Sequence, residues 1–159
     1  MSVSISSINY CPVKSISFQT VGDCKIRKNI GIVGDRVFAF SKGLESNQAQ
    51  LFEKNLDERR GKWNKILTLK NSPMLNKYNF KFKDNKLTFT EKNNEILTID
   101  VSKTSEYDLL SNKILELEKS LQKPLFLMKN TDIPFFDTSI SNKTVLTHSI
   151  SFQNNKSIE

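Results

Sequence analysis

Three polar residues in two short segments have the chemistry to bind an anion together. Lys14 and Ser15 follow a proline in the segment INYCPVKSISF, and Arg36 follows a Gly-Asp turn. Proline lacks a backbone donor, so we expect regular strand pairing to break there. If the two breaks share one rim of a sheet, an ammonium, a hydroxyl and a planar guanidinium would converge on phosphate or carboxylate oxygens. The alternative interpretation is a turn with local Asp35–Arg36 ion pairing and a solvated Lys14.

The sequence lacks the residues of several common catalytic sites. Its one histidine, His148, does not allow a Ser-His-Asp or Cys-His arrangement to be assigned. Cys11 and Cys24 have neither zinc-ligand spacing nor a disulfide framework. Gly31 and Gly34 are more typical of turns than of a phosphate loop. We therefore predict no complete active site in this chain.

The composition is typical of one globular domain. The chain has 159 residues, 37% of them hydrophobic, with 11 Phe spread along it. The net charge of +7 invites a nucleic-acid interpretation, but arginine is scarce and the lysines are spread evenly without an aromatic platform. We expect no nucleic-acid partner. Without a spanning apolar run, a signal peptide or a cysteine framework, the prediction is a cytoplasmic protein with no membrane segment.

Alternating apolar and polar residues predict a mostly β fold. β-branched residues dominate the first forty positions, and KILTL and PLFLMK are further candidate strands. The segment YNFKFKDNKLTFTEKNNEILTIDV predicts a three-strand meander with turns at Asp84-Asn85 and Asn93-Asn94. Each strand is apolar mainly on one face. We therefore expect an antiparallel sheet closed into a β-barrel.

One amphipathic helix is predicted to pack across an end of this barrel. Ser105 and Asp108 approximate a capping box at its start, and Lys123-Pro124 ends it. A single apolar stripe recurs at helical spacing and consists of Leu110, Ile114, Leu117 and Leu121.

The charged stretch over residues 44–64 has weak periodicity. We interpret it as an inserted loop over the barrel surface that has room for a short helix near residues 49–59. Within it, Arg59, Arg60 and Trp63 fit a solvated loop with an anchoring tryptophan. The alternatives are a partner-binding patch and a substrate lip.

Three motifs, in order, resemble the N-terminal β-barrel domain that precedes MOSC (molybdenum cofactor sulfurase C-terminal) domains. CPVKS resembles the family's Tyr-Pro-Val-Lys-Ser motif, with a cysteine at the aromatic position, and GIVGDR resembles Gly-x-x-x-Asp-Arg. The segment TLKNSPML resembles Thr-x-Arg-x-x-Pro-x-Leu, with Lys70 in place of the arginine. The resemblance covers residues 4–130. It implies a barrel domain over 1–130 and the start of a truncated MOSC domain over 131–159.

In that family the barrel and the MOSC domain hold the molybdenum cofactor together. The resemblance implies that Lys14, Ser15 and Arg36 contact the pterin's phosphate, with Lys70 as a further cofactor-binding candidate that has the charge but not the fork of arginine. It implies no pyridoxal-phosphate domain here. The resemblance implies that the complete protein is a molybdenum-dependent oxidoreductase, such as one that reduces N-hydroxylated compounds with electrons from donor proteins, or a carrier of cofactor or sulfur.

The family's metal-ligating cysteine would lie downstream of residue 159. Neither Cys11 nor Cys24 takes its place, because both fall in the barrel part, so we expect this chain alone to be inactive. The rival hypothesis is a non-catalytic β-barrel module that binds an anion or a protein. A longer reading frame with a downstream cysteine would favour the enzyme, and a genuine stop after Glu159 would favour the module.

Overall fold

The computed structural model describes residues 5–16, 18–28 and 30–136, which contain nine strands and three α-helices. The mostly β class predicted from the sequence is confirmed. The strands are β1 (Ile8–Tyr10), β2 (Gln19–Val21), β3 (Ile26–Arg27), β4 (Gly31–Ile32), β5 (Phe38–Lys42), β6 (Tyr78–Lys83), β7 (Lys86–Glu91), β8 (Asn94–Asp100) and β9 (Leu125–Lys129). The helices are α1 (Ser46–Lys54), α2 (Leu56–Arg59) and α3 (Tyr107–Leu117), with short 3-10 helices at Trp63–Lys65, Pro73–Lys77 and Thr104–Glu106.

The strands form four small antiparallel sheets. These are β1-β2, β3-β4, β5-β9 and β6-β7-β8. No closed barrel is found among the described residues. Closure of a barrel needs hydrogen-bonded pairing that continues from each strand to the next. Strand β5 pairs regularly with β9, but it is joined to its other neighbouring segments only by single bridges. One is a parallel bridge from Phe38 to Val13, and the other is an antiparallel bridge from Ser41 to Ile66. The predicted KILTL strand is reduced to this second bridge.

The meander β6-β7-β8 is present as predicted. Its first turn, Asp84-Asn85, has φ values of 49° and 57°, the left-handed geometry that suits a two-residue hairpin. The second turn lies at Lys92-Asn93, one residue earlier than predicted, with φ values of 48° and 69°. Asparagine and aspartate tolerate this region of backbone space, which suits three of the four turn positions and leaves Lys92 as the exception.

The main core lies between the meander, β5, β9 and α3. Phe80 of β6 stacks on Phe89 of β7 with ring centroids 5.0 Å apart, and Phe38 of β5 meets Phe82 edge-on at 5.1 Å. Phe38, Phe80 and Phe89 are fully buried, and each side chain buried in this way contributes about 1.5–3 kcal/mol. The core therefore fixes β5, the strand that follows Arg36, against the most regular sheet of the molecule.

The amphipathic helix α3 is shorter than predicted. Leu110 and Ile114 are buried in the core, but Leu117 is 39% exposed and Leu121 lies beyond the helix end. The helix ends at Leu117, well before the predicted stop at Lys123-Pro124. The N-cap is Glu106 rather than Ser105, so the predicted capping box is not formed.

The stretch over residues 44–64, interpreted as a loop with room for a short helix near residues 49–59, contains the helices α1 and α2, so the described residues have two α-helices besides α3. Ala49 and Phe52 of α1 are buried in a second cluster that includes Phe135. Glu45 and Gln48 form a capping box at the start of α1. None of the described helices combines the length and apolar character needed to cross a membrane.

Little of the predicted second domain can be compared with the structure. Only residues 131–136 of its 131–159 range are described, and His148 lies outside the described residues. Residues 133–136 have no strand or helix, but Phe135 and Phe136 are buried.

Candidate functional site

The segments that carry Lys14 and Arg36 are hydrogen-bonded neighbours. The main-chain nitrogen of Lys14 donates to the Phe38 carbonyl at 2.8 Å, and the Phe38 nitrogen donates to the Pro12 carbonyl at 3.0 Å. Two residues earlier, the Arg36 nitrogen donates to the Cys11 carbonyl at 2.6 Å. Proline accepts a hydrogen bond here but needs to donate none, so Pro12 fits this short parallel pairing. The main chain thus sets the two cationic segments side by side.

A buried carboxylate joins the same two segments. Asp35 Oδ1 accepts a hydrogen bond from the Cys11 main-chain nitrogen at 2.8 Å, and the other oxygen pairs with the Arg36 guanidinium. Burial raises the pKa of Asp35, although the neighbouring charge of Arg36 and the bond from Cys11 oppose that rise. The local Asp35–Arg36 ion pair of the alternative interpretation is therefore present. Its solvated Lys14 is not, because Lys14 is only 1% exposed.

Ser15 and Arg36 both have a left-handed backbone, with φ values of 58° and 51°. Among the described residues, the other non-glycine positions with positive φ all lie in the two meander turns. This conformation costs an L-residue about 1–2 kcal/mol. At Ser15 it belongs to a tight turn in which the Ile16 nitrogen donates to the Val13 carbonyl at 3.1 Å. Strain of this kind is often found at binding sites, so both positions point to function.

All four residues selected from the sequence line one cleft of about 1070 Å³. Lys14, Ser15, Arg36 and Lys70 share it with the rings of Phe18 and Trp63. The described lining residues include three cations and no carboxylate. This volume lies just above the range of about 300–1,000 Å³ that is usual for small-molecule sites. The lining of the cleft therefore combines cationic and aromatic side chains.

The cations of the cleft differ in exposure. Lys14 is buried, the Arg36 side chain is 31% exposed, and Lys70 is exposed. Charges removed from water are screened less by solvent and salt. An anion that reached Lys14 and Arg36 would therefore interact with them more strongly than with Lys70.

An asparagine that the sequence analysis did not single out shapes the turn carrying Lys70. Asn71 Nδ2 donates to the Ile66 carbonyl at 2.8 Å, and its Oδ1 accepts from the Thr68 nitrogen at 3.0 Å. The chain just before this turn is fixed to β5, because the Leu67 nitrogen donates to the Phe40 carbonyl at 2.8 Å. An asparagine three positions after Thr68 is the available sequence signal, since its side chain readily bonds nearby backbone.

Arg59 is not part of a solvated charge run, which corrects the sequence interpretation. It has no exposed surface, and its guanidinium donates to the main-chain carbonyls of Phe52, Glu53 and Ile133 at 2.7, 2.6 and 2.7 Å. Burial lowers the pKa of Arg59 to about 10, with the charge of Glu53 opposing. Arg60 does face solvent and pairs with Asp57. Trp63 is partly buried against the second cluster and also lines the cleft.

Cys11 does not have the environment of a metal ligand. Cys11 is 3% exposed and its thiol donates to the Val13 carbonyl at 2.7 Å. Burial raises the pKa of Cys11 to about 11, which outweighs the opposing charge of Arg36. The described residues contain no group of three or more His, Cys, Asp or Glu side chains that could hold a metal ion.

The chain was compared with known proteins at three levels. A scan against protein-family models finds no match, and searches of curated proteins and of solved structures find none either.

Proposed function

We propose that this chain is the part of a MOSC-type molybdenum-cofactor protein that binds the phosphate of the cofactor. The observation that carries the proposal is the meeting of Lys14, Ser15 and Arg36 on one cleft, two of them in a strained backbone. These are the positions that the motif resemblance assigns to the pterin's phosphate. Two independent lines, side-chain chemistry and motif order, thus select the same residues.

The residues present fit the phosphorylated end of such a cofactor. Lys14 supplies a buried charge, Ser15 a hydroxyl donor, and Arg36 a planar fork suited to phosphate oxygens. Trp63 and Phe18 offer rings on which a flat heterocycle can stack. A phosphate attached to a planar ring system would contact both the cations and the rings of this lining, whereas free phosphate would contact only the cations.

The metal end of the cofactor would be held outside the described residues. When bound, the cofactor supplies the redox chemistry, and this chain's own residues bind and orient its phosphate. Because Cys11 is a buried, protonated thiol, we do not assign it as the thiolate ligand of molybdenum. We further propose that the four small sheets correspond to the family's barrel in an open form, with β5 at its centre.

Binding is best tested with the chain's own fluorescence. Trp63 is the one tryptophan of the sequence and lines the cleft, so a stacked pterin should quench its emission. The full chain is titrated with 6-hydroxymethylpterin phosphate, with the phosphate-free pterin and with inorganic phosphate. We expect the phosphorylated pterin to bind most tightly.

Variants test whether the cationic side chains of the cleft bind the phosphate of the ligand. Arg36→Gln and Lys14→Gln should each weaken binding of the phosphorylated pterin by about tenfold to a hundredfold, as expected for a hydrogen bond between charged groups. Lys81→Gln, at an exposed lysine of the meander, is the matched control and should change nothing. Equal affinity for the two pterins, or unchanged binding by Arg36→Gln, would refute the proposal. Inorganic phosphate bound as tightly as the pterin phosphate would favour a generic anion-binding module.

A further inference from the structure

We infer that Arg59 is a positioning residue for the cleft and holds Arg36 in place through residues 133–136. Arg59 does not line the cleft. The inference rests on the proposed function only in requiring that Arg36 contact the ligand's phosphate. It adds a residue that neither the anion-binding chemistry nor the motif resemblance selects.

The first link joins Arg59 to the segment that follows β9. Its Nη1 donates to the carbonyls of Ile133 and Pro134 at 2.7 and 3.2 Å, and its guanidinium lies 4.0 Å from the centroid of the Phe135 ring. This segment belongs to no strand or helix. Its position therefore depends on side-chain and single main-chain contacts of this kind rather than on a ladder.

The second link joins the same segment to Arg36. The Phe135 main-chain nitrogen donates to the Arg36 carbonyl at 2.8 Å, and the Arg36 guanidinium lies 5.2 Å from the centroid of the Phe136 ring. The backbone of Arg36 thus contacts Phe135, which Arg59 also contacts, and its side chain contacts the next residue along, Phe136. Since Arg36 also has a strained φ of 51°, it needs such external contacts to keep its orientation.

The contacts of Arg59 with α1 and with residues 133–135, here called the clamp, require an arginine. The guanidinium has a fixed fork of five N–H donors, and Arg59 directs this fork at carbonyls of α1 on one side and of residues 133–134 on the other. A lysine would bring charge without the fork and could not satisfy both sides at once. A buried cation that bridges two segments through main-chain acceptors, rather than through an ion pair, is well suited to fixing geometry.

A double-mutant cycle separates positioning from general stability. The variants are Phe136→Leu, Arg36→Gln and the double variant, titrated with 6-hydroxymethylpterin phosphate as above. We expect Phe136→Leu to weaken binding about two- to tenfold, the size of a cation–π contact. In the Arg36→Gln background the same change should have no further effect, because its whole influence passes through Arg36. Binding of the phosphate-free pterin should be unchanged in each variant.

Arg59→Lys is tested in a second double-mutant cycle with Arg36→Gln. Its effect on binding should likewise disappear when Arg36 has been replaced. If this variant does not fold, Phe135→Leu replaces it, since that change removes the ring beneath Arg59 and leaves the hydrogen bonds of the guanidinium. Additive effects of the two changes in either cycle would overturn the inference. So would unchanged binding of the phosphorylated pterin both in Phe136→Leu and in the variant used for Arg59, whether Arg59→Lys or Phe135→Leu. Loss of binding in Arg36→Gln without any effect of the clamp variants refutes only the inference. No effect of Arg36→Gln itself would instead refute the proposed function.

Discussion

Ser15 and Arg36 line the same cleft with the same left-handed backbone, at φ values of 58° and 51°. Neither is a glycine, and neither lies in the hairpin turns where aspartate and asparagine commonly adopt this conformation. The fold therefore carries a local cost at two positions of one cleft. We interpret this cost as the consequence of selecting side chains for binding at positions where glycine would be more stable.

Replacing Ser15 by glycine should separate stability from binding. Ser15→Gly relieves the strained φ and should raise the free energy of unfolding by about 1 kcal/mol. It also removes the hydroxyl, so affinity for the pterin phosphate should fall about two- to tenfold. Urea unfolding and the fluorescence titration measure the two effects.

Two controls accompany this glycine variant. Ser15→Ala should lose affinity without any gain in stability, because alanine keeps the strain. Lys92→Gly relieves a similar φ of 48° far along the chain in a meander turn, and should gain stability without losing affinity. A Ser15→Gly protein that binds as tightly as the wild type would remove Ser15 from the site.

Gly34 should not tolerate a side chain. Its φ is 97°, and a Cβ atom there would lie 3.3 Å from Cε2 of Tyr10. We expect Gly34→Ala to destabilise the fold by about 1–2 kcal/mol in urea unfolding. Gly22→Ala is the matched control, because nothing lies within 4 Å of a Cβ at that position, and should change stability by less than about 0.5 kcal/mol. Equal effects of the two variants would contradict the turn geometry.

The two cysteines should differ in reactivity. Cys11 is buried with its pKa raised to about 11, so only about one molecule in a thousand carries a thiolate there at pH 8. Cys24 is partly exposed. Iodoacetamide at pH 8 should label Cys24 in the folded protein and Cys11 only after unfolding, as read by peptide mass spectrometry. Rapid labelling of Cys11 in the folded protein would contradict the burial and the raised pKa of its thiol.

The stability of the protein relative to Asp35→Asn should depend on pH. Burial raises the pKa of Asp35 above its unfolded value of about 3.9, so the folded state binds the proton more tightly. The resulting contribution to stability is fully present below the unfolded pKa and is lost as pH rises through the raised, folded pKa. The wild type should therefore lose stability relative to Asp35→Asn from about pH 4 upward.

Urea unfolding of both proteins between pH 3.5 and 7 measures this difference, in which the contributions of other titrating groups largely cancel. A difference that grows in favour of the wild type with rising pH would mean that the ion pair with Arg36 outweighs the cost of burial.

The sequence predicts those parts of the fold that local patterns control. The meander follows from strict alternation and from Asp-Asn turns, and both signals lie within a few residues of the structure they determine. Closure into a barrel is a long-range property, and strands of two or three residues, such as β3 and β1, leave too little ladder for it.

Of the helical segment α1–α2, the sequence indicated only room for one short helix near residues 49–59, because the stability of this segment comes from distant contacts. Arg59 looks like a solvated charge in the sequence, but its acceptors include the carbonyl of Ile133, far along the chain. The site shows the same division. Lys14, Ser15 and Arg36 can be selected by residue type and motif, whereas Phe136 acquires its role only from the packing of the folded chain.

The main-chain pairing of residues 11–14 with residues 36–38 has a consequence for which sequence changes the site can accept. Bonds such as that from the Arg36 nitrogen to the Cys11 carbonyl do not depend on side-chain identity, so the outline of the cleft can survive many substitutions. It cannot survive a change in length. One extra or missing residue in either segment would shift the register and turn Lys14 or Arg36 to the opposite side. Related chains should therefore differ in residue type at these positions but have the same number of residues in each segment.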